Sequence, residues 1–222
     1  MPMDVIGPEV GNQPKREERG IFGNSPNPEA RFVKDHLELD KYVEAARTFK
    51  LSVVLTSGSF DLIHIGHARY LEEAKKCGDI LIVGVDSDEK VRRRKGPTRP
   101  VVPEDERVNM LAHLRSVDII TLKEPDEPKW DLIKRVKPDT LIVTREMYDD
   151  DTLEKLSEYC GRIVCLEPQA TTSTSAKIRL LQVGWSKEIE EPVMQELDRH
   201  GASDELKRSI GGILVGQHVK KP

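Results

Sequence analysis

Five short apolar runs, separated by stretches with helical periodicity, constrain this chain more than any other feature. Leu51–Leu55, Ile80–Val85, Val117–Leu122, Thr140–Val143 and Ile163–Leu166 are each too short for a helix and nearly continuous in apolar character. Strands that read this way are buried on both faces. The sequence therefore predicts a parallel sheet covered by helices, an α/β Rossmann-like fold with five strands. The intervening helices are expected at about 66–76, from Pro103 onward, at 130–136 and at 153–159. Tyr70, Leu71 and Ala74 offer a core face to the first, and Met110, Leu111 and Leu114 to the second. Pro103 suits a first helical turn, and Glu104, Asp105 and Glu106 suit the positive end of its dipole.

Around this core the chain divides by composition. Residues 1–30 are rich in Pro, Gly, Asn and charge, and are expected to form a flexible arm. Residues 31–50 carry Leu39, Val43 and Ala46 on one helical face and read as a lead-in helix. Residues 51–182 hold the α/β domain. Residues 183–222 are expected to be a helical extension, with stretches near Ile189–Leu197 and Glu205–Val215 packing on the domain or on a partner subunit. A net charge of −4 provides no general attraction to nucleic acid or acidic lipid, although a local basic pocket for polyphosphate is compatible with it. Cys77, Cys160 and Cys165 form no CxxC pair, and free, mostly buried thiols are expected. No apolar run has transmembrane length and no signal-peptide core is present, so a cytoplasmic protein is expected.

The first strand runs into Thr56-Ser57-Gly58-Ser59-Phe60-Asp61-Leu62-Ile63-His64-Ile65-Gly66-His67. In open α/β sheets, ligands collect beyond the carboxyl ends of strands. Gly58 is expected to take a conformation that a side chain would strain, and Gly66 to remove bulk at the helix start. His64 and His67 can converge on one polyphosphate, assisted by the uncapped N–H groups of the following helix. Two histidines at this spacing could equally cap the helix, pack in the core or join a metal site. A dinucleotide fingerprint and a P-loop are both missing.

Further candidates lie downstream. Arg92-Arg93-Arg94-Lys95 leads into Gly96-Pro97-Thr98-Arg99-Pro100, a constrained loop that could present one or two cations to phosphate while the others face solvent. Asp86 and Asp88 could hold a ribose hydroxyl, bind a cation or cap a turn. Asp61 could orient the histidine turn through backbone hydrogen bonds. Thr171–Ile178 reads as a Ser/Thr-capped helix start, whose hydroxyls and N–H groups also suit phosphate.

The segments TSGSFDLIHIGHARYLEEAKKCGDILIVGVDSDEKV and RRRKGPTRPVVPEDERVNML resemble the cytidylyltransferase-like branch of the HxGH nucleotidyltransferases. They look most like bacterial heptose-phosphate adenylyltransferase domains, with glycerol-phosphate and ethanolamine-phosphate cytidylyltransferases as relatives. The resemblance covers about Leu51 to Leu181. It implies transfer of a nucleoside monophosphate from an NTP, ATP before CTP, to a small phosphorylated sugar or polyol, with release of pyrophosphate. It also implies His64, His67 and Lys95 as catalytic groups. Thr56, Gly58, Ser59, Phe60, Asp61, Gly66, Asp86, Arg99, Arg107 and Ser173-Thr174-Ser175 are implied around the nucleotide. Mg2+ accompanies the NTP, and a homodimer is expected. Arg107 has two readings, helix stabilisation or phosphate contact. Class I aminoacyl-tRNA synthetases share the HIGH letters, but this chain has no K-M-S-K-S segment. Thr144-Arg145-Glu146-Met147-Tyr148 departs from the family's glycine-rich pattern after the fourth strand, which motivates a second reading as a non-catalytic nucleotide-binding regulator.

Overall fold

The structure, a computed structural model, describes residues 28–145, 148–167 and 189–214. The chain divides into two units, Met1–Gln169 and Ala170–Pro222. In the first, a short 3-10 turn at Pro28–Arg31 precedes α1 (His36–Thr48). Then follow β1 (Val53–Gly58), α2 (Ile65–Lys75), β2 (Ile80–Asp86), α3 (Asp88–Lys95) and α4 (Glu104–Ala112). The unit continues through β3 (Ile119–Lys123), α5 (Asp131–Val136), β4 (Thr140–Val143), α6 (Asp150–Ser157) and β5 (Arg162–Cys165).

The five strands form one sheet in the order β3-β2-β1-β4-β5, every pair parallel. This is the expected Rossmann-like architecture. Its physical basis is visible on both faces. On one, Leu39 and Val43 of α1, Leu132, Ile133 and Val136 of α5 and Leu156 of α6 pack on Leu55, Ile82, Ile119, Leu141 and Val143. On the other, Leu71 and Ala74 of α2 and Val108, Leu111 and Ala112 of α4 pack on Val54, Leu81, Val83, Val85, Ile120 and Ile142. Alternate residues of each strand thus enter opposite cores, which is why the strands read as unbroken apolar runs. Each fully buried Leu or Ile contributes about 1.5–3 kcal/mol of transfer free energy.

β1 pairs with β2 on one side and β4 on the other. The chain reverses its direction of winding there, and the carboxyl end of β1 therefore opens onto a crevice.

Several expectations change in detail. The β1–β2 ladder begins at Val53 and runs through Thr56 to Gly58, opposite Val85, so the turn starts later than the composition indicates. The basic run that leads into the Gly96–Pro100 loop is helical: Arg92–Lys95 form the last turn of α3, which Ser87 caps through a bond from the Lys90 N–H. Four cations at a helix C-terminus complement the dipole and favour the helix despite its polarity. Pro103 is the N-cap of α4 rather than a residue inside it. Met110 is 52% exposed, because the α4 core face is Arg107, Val108, Leu111 and Ala112 instead. Cys165 is exposed at the end of β5, while Cys77 and Cys160 are half-buried.

The second unit contains α7, helical over 189–199, and α8 (Asp204–Leu214). A turn closed by Ala202 N–H on Leu197 O joins them, and Lys207 of α8 pairs with Asp198 of α7. Among the described residues, no helix is long and apolar enough to cross a membrane.

Candidate functional site

The turn between β1 and α2 is held from within. Its strain lies at Phe60 (φ 50°) and Leu62 (φ 51°), both left-handed without being glycine, and not at Gly58. Such residues cost of order 1–3 kcal/mol each and persist only where neighbours determine them. The Phe60 ring is buried and sets that constraint. At Gly58 the constraint is packing instead: a Cβ there would lie 3.1 Å from the Phe60 ring, which would have to give by a few tenths of an ångström.

His64 is the N-cap of α2, and its Nδ1 accepts the Gly66 N–H at 3.1 Å. His67, three residues on, accepts the His64 N–H on its own Nδ1 at 3.3 Å, closing a reciprocal capping box. The ring centroids stand 4.1 Å apart, and Phe60 meets the His67 ring edge-on at 5.8 Å. A nitrogen that accepts a backbone N–H carries no proton, so in each neutral imidazole the proton sits on Nε2. The pair therefore caps the helix, and the phosphate reading is compatible with the same arrangement. The caps orient the rings, and the tautomer they impose supplies an N–H donor of the kind a phosphoryl oxygen needs.

Asp61 is buried with both oxygens engaged. It accepts the N–H groups of Val101 and Val102, and its Oδ2 takes both Nε (2.7 Å) and Nη2 (2.6 Å) of Arg99. Burial works to raise its pKa, but the Val102 and Val101 N–H groups and the Arg99 charge outweigh that and hold it low. Its backbone partners lie in the loop after α3, not in the histidine turn. Arg99 is consequently a partner of Asp61.

Arg107 resolves toward its structural reading. The guanidinium is fully buried and donates to Val102 O (3.0 Å), Ser59 O, Asp86 O (2.9 Å) and Asp88 Oδ1 (2.7 Å). One side chain thereby ties the segments after β1, β2 and α3 together. The Thr56 hydroxyl bonds Ile142 O of β4 and the Tyr70 hydroxyl of α2. Burial pushes the Tyr70 phenol up to about 12 against the opposing effect of Thr56.

The cations of α3 divide unexpectedly. Arg94 reaches back to Ser59 Oγ (2.8 Å) and Asp86 Oδ2 (2.9 Å), while Arg92 and Arg93 pair with Glu89 at the surface. Partial burial lowers the pKa of Lys95, and the charges of Arg94 and Arg99 add to the effect, with Asp61 and Asp86 opposing it. Two residues escaped the sequence reading, Lys123 at the end of β3 and the environment of Tyr148. Lys123 Nζ lies 3.4 Å from Asp86 Oδ1. Burial raises the Tyr148 pKa, the Asp86 charge adds to the rise and Arg94 opposes it. The register that sets Asp86 beside Lys123 was the missing signal. Arg145 is exposed, 4.0 Å from Glu167. Ser173, Thr174 and Ser175 lie outside the described residues.

A strand–turn–helix with paired capping histidines thus sits at the switch point of a 3-2-1-4-5 sheet. The profile of the Cytidylyltransferase-like family matches residues 55–200, spanning this arrangement. The chain belongs to that family. Among curated relatives, "Bifunctional protein HldE" of a Nitratiruptor species is 44% identical over 115 residues, covering 52% of this chain and 25% of the relative. The protein of the same name from Helicobacter pylori (strain HPAG1) is 36% identical over 178 residues, covering 80% of this chain and 36% of the relative. The chain thus spans only a minor part of these relatives' length. A solved lipopolysaccharide core biosynthesis protein from Thermoplasma volcanium GSS1 matches with 28% identity and a TM-score of 0.48, covering 53% of this chain and 98% of that one.

Proposed function

We infer that the chain transfers a nucleoside monophosphate from an NTP to a small phosphorylated sugar or polyol. A phosphate oxygen of the acceptor forms a bond to the α-phosphorus. The bond from that phosphorus to the bridging oxygen breaks, and pyrophosphate leaves with the electron pair. ATP is the preferred donor, on the likeness to heptose-type domains, and CTP is second. The observation that carries this reading is the His64–His67 pair, with each Nδ1 committed to a backbone N–H at the start of α2. The Nε2–H groups that follow from this stabilise charge on the transferring phosphate, as preorganised donors do in water-poor sites. Lys95 adds a point charge. Ser173-Thr174-Ser175 is assigned to the nucleotide phosphates.

The substrate is taken to be the Mg2+ complex of the NTP. Among the described residues no group of three or more His, Cys, Asp or Glu is placed to hold a metal, and Asp61 and Asp86 already face cations. We take the ion to be held through phosphate and water, as Mg2+ often is. A homodimer in the cytoplasm completes the proposal.

The test is pyrophosphate release from Mg-ATP and Mg-CTP across a panel of sugar and polyol phosphates. His64→Ala and His67→Ala should each lower turnover by about 10²–10³-fold, the usual loss for one preorganised donor. Folding should suffer only by about 1 kcal/mol, the worth of a helix cap. Unchanged rates in both variants would refute the histidine roles. The departure at Thr144–Tyr148 favours a second reading, a nucleotide-binding regulator. Mg-NTP binding without turnover on any acceptor would establish that reading instead.

A further inference from the structure

Asp86 ends β2 and Lys123 ends β3, directly paired in the parallel ladder. They form an ionic cluster that the histidine chemistry does not use. The Asp86 carboxylate is 2% exposed, with Arg94 at 2.9 Å on Oδ2 and Lys123 at 3.4 Å on Oδ1. That 3.4 Å contact is the one polar contact of the Lys123 ammonium among the described residues, although its side chain is only 22% exposed. An ammonium has three donors, and leaving donors unfilled in a poorly solvated site costs free energy unless a ligand fills them.

The fold makes deliberate room for this side chain. A Cβ on Gly84 would lie 2.9 Å from Lys123 Cδ and 2.5 Å from Leu132 Cδ2, so a side chain there would displace the lysine stem or Leu132. Burial lowers the Lys123 pKa and Lys90 and Arg94 add to that, while Asp86 opposes them.

The chemistry of the pair selects its ligand. A second anion at Lys123 would meet the Asp86 carboxylate beside it. A hydroxyl both accepts and donates, so it can take a hydrogen from the ammonium and give one to the carboxylate. Vicinal hydroxyls on a polyol do this best. Location selects the source. His64 and His67 follow β1, and Arg94 links Ser59 after β1 to Asp86 at the end of β2. With strands about 4.8 Å apart, β1 to β3 is about 10 Å, a reach for a phosphorylated sugar but not for a bare phosphate. The nucleotide's own ribose also carries hydroxyls. The pair is assigned to the acceptor, and a variant that shifts the ATP KM instead would assign it to the ribose.

We propose that Asp86 and Lys123 form the subsite that reads the hydroxyls of the acceptor's polyol portion, and so determine which phosphorylated compounds are used. This rests on the transferase reading above.

The test uses the full chain and Lys123→Met, which keeps the stem and removes the ammonium. Asp86 retains Arg94 in this variant, and a melting curve checks folding; Lys123→Gln serves if Met does not fold. With the best sugar phosphate found for the parent, the acceptor KM should rise about ten- to a hundredfold. The KM for Mg-ATP should not move, and the parent's preference for that acceptor over its deoxy analogue should collapse. A merely structural lysine would leave that preference intact. An unchanged acceptor KM, or a shift in the ATP KM instead, would overturn the subsite. If the parent turns over no acceptor, the transferase reading fails by itself. Calorimetry of each sugar phosphate of the panel with Mg2+ and a nonhydrolysable ATP analogue then decides the subsite. Binding that Lys123→Met abolishes supports it, and no binding to the parent refutes it.

Discussion

Replacing Arg107 by Met should destabilise the α/β unit severely. The methionine keeps much of the stem and removes a fully buried guanidinium that makes four hydrogen bonds, three to carbonyls and one to Asp88. Breaking a buried charged pair typically costs about 3–5 kcal/mol, and each carbonyl left dry costs about 1–3 kcal/mol more. The four partners share one side chain, so the sum should not be fully additive. A loss of about 4 kcal/mol is expected, a large share of the 5–15 kcal/mol that holds a typical domain. In urea, with a slope of about 2 kcal/mol/M, the midpoint should fall by about 2 M at constant slope. Arg107→Lys, with three donors and no planar fork, should recover only part of this. A midpoint shift corresponding to less than about 1 kcal/mol for Arg107→Met would refute the claim that this residue holds the three segments together.

Gly84→Ala should lower the melting temperature, because the added carbon meets Leu132, Lys123 and Ser57 below 3 Å; an overpacking cost of about 1–3 kcal/mol is expected by calorimetry. Asp61 should make stability acid-sensitive. Its folded pKa is depressed, so its contribution is present above the ordinary carboxylate range near 4 and is lost as pH falls through the lower folded value. Denaturation of Asp61→Asn across this range should show a flatter acid limb than the parent, and parallel curves would count against it. Lys95→Ala should leave the melting temperature in place while reducing turnover about tenfold or more.

The histidine turn and the strand order show how far the linear chain can be read. The apolar runs announce a buried parallel sheet because both faces of every strand face a helix layer. The Gly58–His67 segment announces a ligand site because a strand end, a helix start and two donors are contiguous in sequence. Even there, the turn's strain was misplaced: the segment contains a glycine, yet the left-handed residues are Phe60 and Leu62. Ring burial overrode local preference at Phe60. The α3 helix was missed because its sequence, Asp88–Lys95, contains one apolar residue, Val91, and no periodicity to detect.

What the sequence by itself determined is the fold class, the position of the histidine pair and its membership of a nucleotidyltransferase-like group, all properties of contiguous patterns. What only tertiary structure decided is which charges face each other. Arg99 was spent on Asp61, Arg107 on three backbone segments, and Arg94 with Lys123 on Asp86. These pairings span up to 48 residues in the chain, from Arg107 to Ser59. They follow from strand register and helix docking, because electrostatic partners are selected by distance in space, which no local pattern encodes. The histidine turn is thus written in the chain, while its surroundings are set by the sheet that gathers the other strand ends beside it.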